Sequence, residues 1–254
     1  MTAGYTLSLA IVRDTFFGWQ SIFVFYAVSG FALFGICWWD LGETKQEAEH
    51  STQGSAFGPI VLLQEPLFWP FALCGMFSVG TFYIFLMGAP LVARAALGVT
   101  TAELGFYIGS ITLGFLCGSF IPGRFGARCD PTTMIIIGRV IACAGLLAGS
   151  IMLLLGHASP HLFFASTIFV GFGNGVTMPA SNAGVIFVRS DLSGSAAGLN
   201  GALIVAGGAV LTAVTGSLIN ETSGAQALLL LMLLASGAGL CCALWAAKLQ
   251  RTGK

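Results

Sequence analysis

Long apolar runs are the feature that most constrains this chain. Six of them lie near residues 19–39, 67–92, 104–122, 132–155, 161–188 and 195–247. A polar cluster at 220–224 divides the last run into segments of about 195–219 and 225–247. Each segment is long enough to cross a bilayer, which takes about 20 apolar residues. Because lipid supplies no hydrogen bonds, helices that satisfy their own backbone groups are the expected structure.

Composition supports a lipid environment. Hydrophobic residues make up 56% of the 254 residues and charged residues only 8%. A soluble domain carries about 25% charged residues, because its surface faces water. The formal net charge is zero, so the charge balance does not indicate a basic nucleic-acid-binding face. The lipid bilayer is therefore the expected partner, and nucleic acid is not.

The apolar stretch that precedes these runs is short. Ala3–Val12 offers about ten residues, too few to span a bilayer. Arg13 and Asp14 follow this stretch, whereas a signal peptide carries its basic residues first. We therefore predict an all-α membrane protein with six transmembrane helices plus an N-terminal helix stump, and we expect the stump to belong to a truncated helix.

The placement of lysine and arginine predicts the sidedness of the chain, since cytoplasmic loops carry an excess of both. If successive connections alternate between sides, one side receives Lys45, Arg124, Arg128, Arg139, Arg189, Lys248, Arg251 and Lys254, and the other receives Arg13 and Arg94. The long polar loop 40–66, the loops 123–131 and 189–194, and the C-terminus are therefore predicted to be cytoplasmic.

Four local patterns, in order along the chain, resemble those of bicyclomycin/chloramphenicol-type drug exporters of the major facilitator superfamily. Residues 17–23 read Phe-Gly-Trp-Gln-Ser-Ile-Phe and are similar to the start of that family's sixth helix. Residues 42–44, Gly-Glu-Thr, stand where the family has Pro-Glu-Thr. Residues 173–182 and 193–201 resemble the glycine-rich patterns of its tenth and eleventh helices.

The resemblance implies a fold and a function. The chain would match the end of helix five through helix twelve of a twelve-helix transporter. Its parts would be a remnant of the N-terminal bundle at 1–39 (partial helix five and helix six), a central cytoplasmic loop at 40–66, and a C-terminal six-helix bundle at 67–254. The implied activity is efflux of drug-like small molecules by proton antiport in the bacterial inner membrane, with a missing N-terminal half as partner.

One loop motif of the superfamily is only partly present. Arg124 and Arg128 match the arginines of its cytoplasmic loop, but Pro122 and Gly123 stand where an acidic residue is expected. We therefore expect these arginines to set the topology and not to form a latch.

Charged residues are nearly absent from the runs. All ten acidic residues lie in loops or at the ends of runs, so a carboxylate for proton coupling would have to come from the missing half. Arg139 is the one charged residue within a run, about 10 Å in by helical rise. We expect its side chain to extend to the cytoplasmic interface; a buried functional pair is the alternative.

Neutral polar residues within the runs are the candidate substrate contacts. Asn174, Met178 and Ser181 lie within about 40° of one helical face, and Pro179 is expected to bend this helix. A carboxamide, a thioether and a hydroxyl on one face suit a permissive cavity. Hydrogen bonding between helices is the alternative, above all for Asn200, a further candidate, and for Asn182.

A second set of candidates lies on the run near 67–92. Met76, Tyr83 and Met87 form one stripe together with Gly80, which either lines the substrate site or packs against another helix. Four glycine pairs at a spacing of four residues are predicted to bring helices close together: Gly105/Gly109, Gly114/Gly118, Gly171/Gly175 and Gly194/Gly198.

An enzyme is not expected. Ser193–Ala196 superficially resembles the serine loop of an intramembrane protease, but that chemistry needs a histidine on a later helix, and His50, His157 and His161 all precede the serine. No phosphate-binding loop, zinc spacing or haem motif occurs, so no metal and no cofactor is predicted. Besides a drug exporter, a metabolite transporter of the same superfamily and a truncated, non-transporting fragment remain open.

Overall fold

A computed structural model describes residues 20–40, 58–95, 98–126, 129–157, 159–219 and 224–252. Within these residues the chain forms α-helices and one short 3-10 turn, and it has no strand. The helices are α1 (Gln20–Asp40), α2 (Gly58–Gln64), α3 (Phe68–Ala95), α4 (Thr101–Phe125), α5 (Pro131–Leu154), α6 (Pro160–Val188), α7 (Ser193–Leu218) and α8 (Gly224–Thr252), with the 3-10 turn at Ser190–Leu192.

Six helices, α3 to α8, are long and apolar enough to cross a membrane. The prediction of an all-α membrane protein with six spans is confirmed, and α7 and α8 confirm the division of the last run into two segments. With that division the runs give seven segments, one more than the six predicted helices. Among the described residues, the first run gives a shorter apolar stretch, Phe23–Trp39 of α1. The last run contributes two spans, α7 and α8, on either side of the polar cluster.

Local sequence signals explain where several helices begin. At α4 the hydroxyl of Thr100 accepts the backbone N–H of Glu103, and the Glu103 carboxylate accepts the backbone N–H of Thr100. This reciprocal capping satisfies two backbone donors that a helix leaves unpaired. Proline opens α5 and α6, where its missing N–H costs nothing and its fixed φ suits a helix.

The core of the bundle lies around α6, which packs against α3, α4, α5 and α7. Aromatic side chains fill one end of this core. Phe164 stacks on Tyr107 with ring centroids 4.2 Å apart, and it meets Phe85 edge to face at 6.2 Å. At the other end Phe68, Phe71 and the neighbouring α5 residue Ile135 are buried in a second apolar cluster.

Helices α4 and α6 approach closely because both carry glycine at the contact. A Cβ added at Gly118 would lie 2.1 Å from the carbonyl oxygen of Phe172, and one at Gly171 would lie 2.1 Å from that of Ile111. No side chain fits in such a space. The packing prediction is confirmed for Gly114/Gly118 and Gly171/Gly175. At Gly194 and Gly198 an added Cβ would meet no atom of another helix within 4 Å among the described residues.

Side chains of α1 point outward. Phe31 is 78% exposed, Trp38 79% and Trp39 93%, whereas α6 is the most buried of the spans. The division of the chain between two bundles stays a prediction.

Contacts between helix ends place several basic residues on one side of the bundle. Arg189, after α6, forms ion pairs with Glu65, before α3, at 3.2 Å and with Asp191 at 2.9 Å. Thr132, at the start of α5, donates to Gln250, near the end of α8, at 2.8 Å. Arg124 lies in the last turn of α4. That this side faces the cytoplasm stays a prediction.

Candidate functional site

A cavity of about 250 Å³ lies where α3, α4 and α6 meet. Apolar and aromatic side chains form most of its wall, together with one carboxamide, one hydroxyl and one thioether. The lining residues are Val79, Phe82, Ile111, Thr112, Phe115, Leu116, Gly171, Asn174 and Met178. A concave, mainly apolar site with few polar groups is the usual form of a small-molecule site in a protein.

Two of the candidate substrate contacts, Asn174 and Met178, lie on this cavity. They are one helical turn apart on α6, as their spacing predicts. The Asn174 side chain is held from two sides: its Nδ2 donates to the carbonyl oxygen of Ser78 at 2.9 Å, and its Oδ1 accepts from Arg139. The carboxamide at the cavity wall therefore has a fixed orientation.

Ser181, the third member of that face, has a different environment. It is fully buried, and its hydroxyl donates to the carbonyl oxygen of Phe71 on α3 at 2.7 Å. A Cβ added at Gly75 would lie 3.0 Å from the Ser181 Oγ. At this position the structure supports hydrogen bonding between helices, and a substrate contact stays a prediction.

The stripe Met76, Tyr83 and Met87 faces α7. A Cβ at Gly207 would lie 2.3 Å from the Met76 sulfur, and one at Gly208 would lie 2.4 Å from the Tyr83 ring. Met87 reaches toward Gly216 and is 41% exposed. The glycines of α7 form a groove for these side chains, so the geometry supports the packing interpretation of the stripe.

Asn200 also joins helices. It is buried on α7, and its Nδ2 donates to the Oδ1 of Asn182 on α6 at 2.9 Å. The alternative proposed for this pair, an interhelical hydrogen bond, is confirmed. The Asn200 Oδ1 is buried without a hydrogen-bond partner in the described chain.

Arg139 differs most from its prediction. The expectation that its side chain extends to the cytoplasmic interface is wrong, because the whole residue is buried in the bundle. Its Nε donates to the hydroxyl of Thr177 at 3.2 Å, and its Nη2 donates to the Asn174 Oδ1. The Nη1 is buried without a hydrogen-bond partner among the described residues.

Glycines beside Arg139 make this burial possible. A Cβ at Gly138 would lie 2.5 Å from the Thr177 Oγ1, so α5 and α6 are close enough for the guanidinium to reach α6. On α8 a Cβ at Gly239 would lie 3.3 Å from the Arg139 Cδ, so this glycine leaves room for the stem of the arginine. Helices α5, α6 and α8 therefore enclose one charged side chain.

The sequence contains a signal for this burial. Along α5, the small residues Gly138, Ala142, Gly145 and Gly149 are buried, whereas Ile137, Val140, Leu147 and Ile151 are exposed. Small residues mark the packed face of a transmembrane helix, and Arg139 lies on that face. The other lining residues of the cavity come from three separate helices, which no single motif connects.

Of the two loop-motif candidates, the described one, Arg124, does not line this cavity. Arg124 is exposed at the end of α4, and Arg128 lies outside the described residues. Arg189 and its two acidic partners lie at the surface of the bundle. Hydrogen bonds to Asp191 and Glu65 raise the pKa of Arg189.

Comparisons with known proteins agree with this architecture. The model of the Major Facilitator Superfamily matches residues 1–183 and 71–254 of the chain. An uncharacterized MFS-type transporter of Bacillus subtilis (strain 168), YdgK, is 26% identical over 220 residues. That alignment covers 84% of this chain and 53% of the relative, so the chain spans about half the length of the relative.

Proposed function

Because the chain belongs to the major facilitator superfamily, a family of multi-pass membrane transporters and not of enzymes, we propose that it forms the C-terminal half of a secondary active exporter of drug-like small molecules. The cavity between α3, α4 and α6 is the observation that carries this proposal. Its wall combines the aromatic rings of Phe82 and Phe115, the adaptable thioether of Met178 and the fixed carboxamide of Asn174. Such a wall tolerates apolar ligands of varied shape.

Proton antiport is the proposed source of energy. The described acidic residues lie at helix ends or between helices: Asp40, Glu65, Glu103, Asp130 and Asp191. A titratable group in the transport pathway would therefore come from an N-terminal half, which packs opposite the cavity in this proposal. The half-length match to the relative is consistent with such a partner.

The proposed location is the bacterial inner membrane, with the C-terminus in the cytoplasm. The excess of lysine and arginine at the α4, α6 and α8 ends supports this orientation.

Drug efflux from cells tests the proposal. Cells that express the 254-residue chain, alone and together with an N-terminal half, are loaded with chloramphenicol, and efflux is followed with and without an uncoupler. We expect efflux only when both halves are present, and we expect the uncoupler to stop it. Efflux that survives the uncoupler would contradict proton antiport, and no efflux with both halves present would contradict the drug substrate.

A matched pair of variants connects efflux to the cavity. Met178→Trp places a large side chain in the cavity and should reduce efflux strongly. Ile151→Trp places the same side chain on the exposed face of α5 and should leave efflux unchanged. Equal losses in both variants would show that the cavity is not the transport site.

A further inference from the structure

The bundle holds a positive charge that no carboxylate in the described chain neutralises. Arg139 is fully buried, and the ion pairs among the described residues all involve Arg189. Its hydrogen-bond partners are neutral, the Asn174 carboxamide and the Thr177 hydroxyl. An arginine side chain stays charged in proteins, and a charge inside a bilayer is costly unless it has a function or a partner.

Asn174 connects this charge to the cavity. Its oxygen faces the guanidinium, so the positive end of the carboxamide dipole, the NH₂ group, points away from Arg139. One hydrogen of this NH₂ binds the Ser78 carbonyl oxygen. A carboxamide has two such hydrogens, which leaves the second as a donor for a ligand in the cavity that Asn174 lines. Both the charge and the dipole make the potential in this cavity positive.

We propose that the cavity prefers apolar monoanions, such as aromatic carboxylates or phenolates, over neutral apolar ligands, which still bind. Asn174 contacts the anionic group, and Arg139 is a positioning residue that acts through Asn174. The apolar wall binds the hydrocarbon part of the ligand, and the bound anion neutralises the buried charge. This inference rests on the proposed transport function for the role of the cavity. It adds that the cavity prefers substrates with one negative charge.

The charge of the ligand distinguishes this proposal from a purely structural role of Arg139. A structural arginine would affect all ligands equally, because its loss would distort the cavity. An electrostatic effect depends on the sign of the ligand charge, since a cation is repelled where an anion is attracted. Ligands of nearly equal shape and different charge therefore separate the two roles.

Binding of benzoate, benzamide and benzylammonium to the purified full chain in detergent tests the proposal. We expect benzoate to bind about tenfold more tightly than benzamide, and benzylammonium more weakly than both, as one buried charge implies. Benzoate should also raise the thermal midpoint of the chain, because it binds the folded state. Equal affinity for the three ligands would overturn the proposal.

Two variants at the buried cluster complete the test. Arg139→Gln should remove the preference for benzoate over benzamide, and Arg139→Lys should keep most of that preference. Asn174→Asp supplies a carboxylate to Arg139, so it should fold even where Arg139→Gln does not, and it should also lose the preference. A benzoate preference that survives in a folded Arg139→Gln or Asn174→Asp variant would overturn the proposal.

Binding separates this inference from the proposed export function. Charge-selective binding without drug efflux would contradict only the exporter. Efflux with equal affinity for the three ligands would contradict only the anion selectivity.

Discussion

The region where α6 meets α4 and α5 and the region around the start of α7 share two sequence features with different structural outcomes. Both contain glycines four residues apart, and both contain an arginine. An added Cβ at Gly118 would lie 2.1 Å from a carbonyl oxygen, whereas one at Gly198 would meet no atom of another helix within 4 Å among the described residues. Arg139 is fully buried, whereas the Arg189 side chain is 37% exposed.

The difference shows that a motif acquires its role from its neighbours. In the packed region, around α6, an added Cβ at Gly118, Gly171 or Gly175 meets a backbone carbonyl oxygen, and the arginine depends on neutral groups for its hydrogen bonds. In the open region, around the start of α7, added atoms find space, and the arginine has two carboxylates. Substitutions should therefore be costly in the first region and mild in the second.

Removal of the carboxamide at Asn174 should have the largest effect. Asn174→Leu leaves the Arg139 Nη2 and the Ser78 carbonyl oxygen without their partner. Loss of a partner to a buried charge costs about 3 kcal/mol of stability. Thermal unfolding in detergent should show this loss as a large drop of the midpoint.

A double substitution tests the cause of that drop. Arg139→Met combined with Asn174→Leu removes the charge as well, and it should recover most of the lost stability, because apolar pairs can replace buried charged groups at little cost. If the double variant is as unstable as Asn174→Leu, the unpaired charge is not the cause.

Gly118→Ala should come next. The added Cβ overlaps the Phe172 carbonyl group, so α4 and α6 must move apart, at a cost of about 2 kcal/mol. Gly198→Ala is the control, and it should be neutral or slightly stabilising because alanine favours a helix over glycine. The thermal midpoints of the two variants are measured side by side. An equal drop in both would contradict the difference in packing between the two regions.

Thr177→Val should cost less. It removes the hydroxyl that accepts from the Arg139 Nε, and a hydrogen bond to a charged group is worth about 1.5 kcal/mol. Thr133→Val, on the exposed face of α5, is the control and should have no effect. Equal effects of the two substitutions would mean that the Thr177 hydrogen bond does not stabilise the bundle.

Glu65→Gln should have the smallest effect. It breaks one ion pair of Arg189, but Asp191 keeps the guanidinium paired. Exposed ion pairs contribute little and are weakened by salt. The thermal midpoint should stay unchanged at low and at high salt, and a salt-dependent loss would show that Glu65 stabilises the start of α3.

Sequence patterns were sufficient for the main architecture. The helical class, the six spans and the close packing of helices at Gly114/Gly118 and Gly171/Gly175 follow from run length and residue size. The spacing of Asn174 and Met178 also predicted two side chains of the cavity. The sequence did not decide the role of the stripe Met76, Tyr83 and Met87. A cavity wall and a packing face need the same spacing, so the pattern is compatible with both.

The sequence by itself determined that the helices lie in a lipid bilayer. Run length, low charge and small residues are properties of single helices, and each of them suits lipid surroundings. Only the tertiary structure decided where Arg139 goes. A charge about a third of the way along α5 is compatible with both the interface and the interior. Its burial depends on Gly138, Gly239 and Asn174, which lie on three different helices and meet only when the bundle is packed.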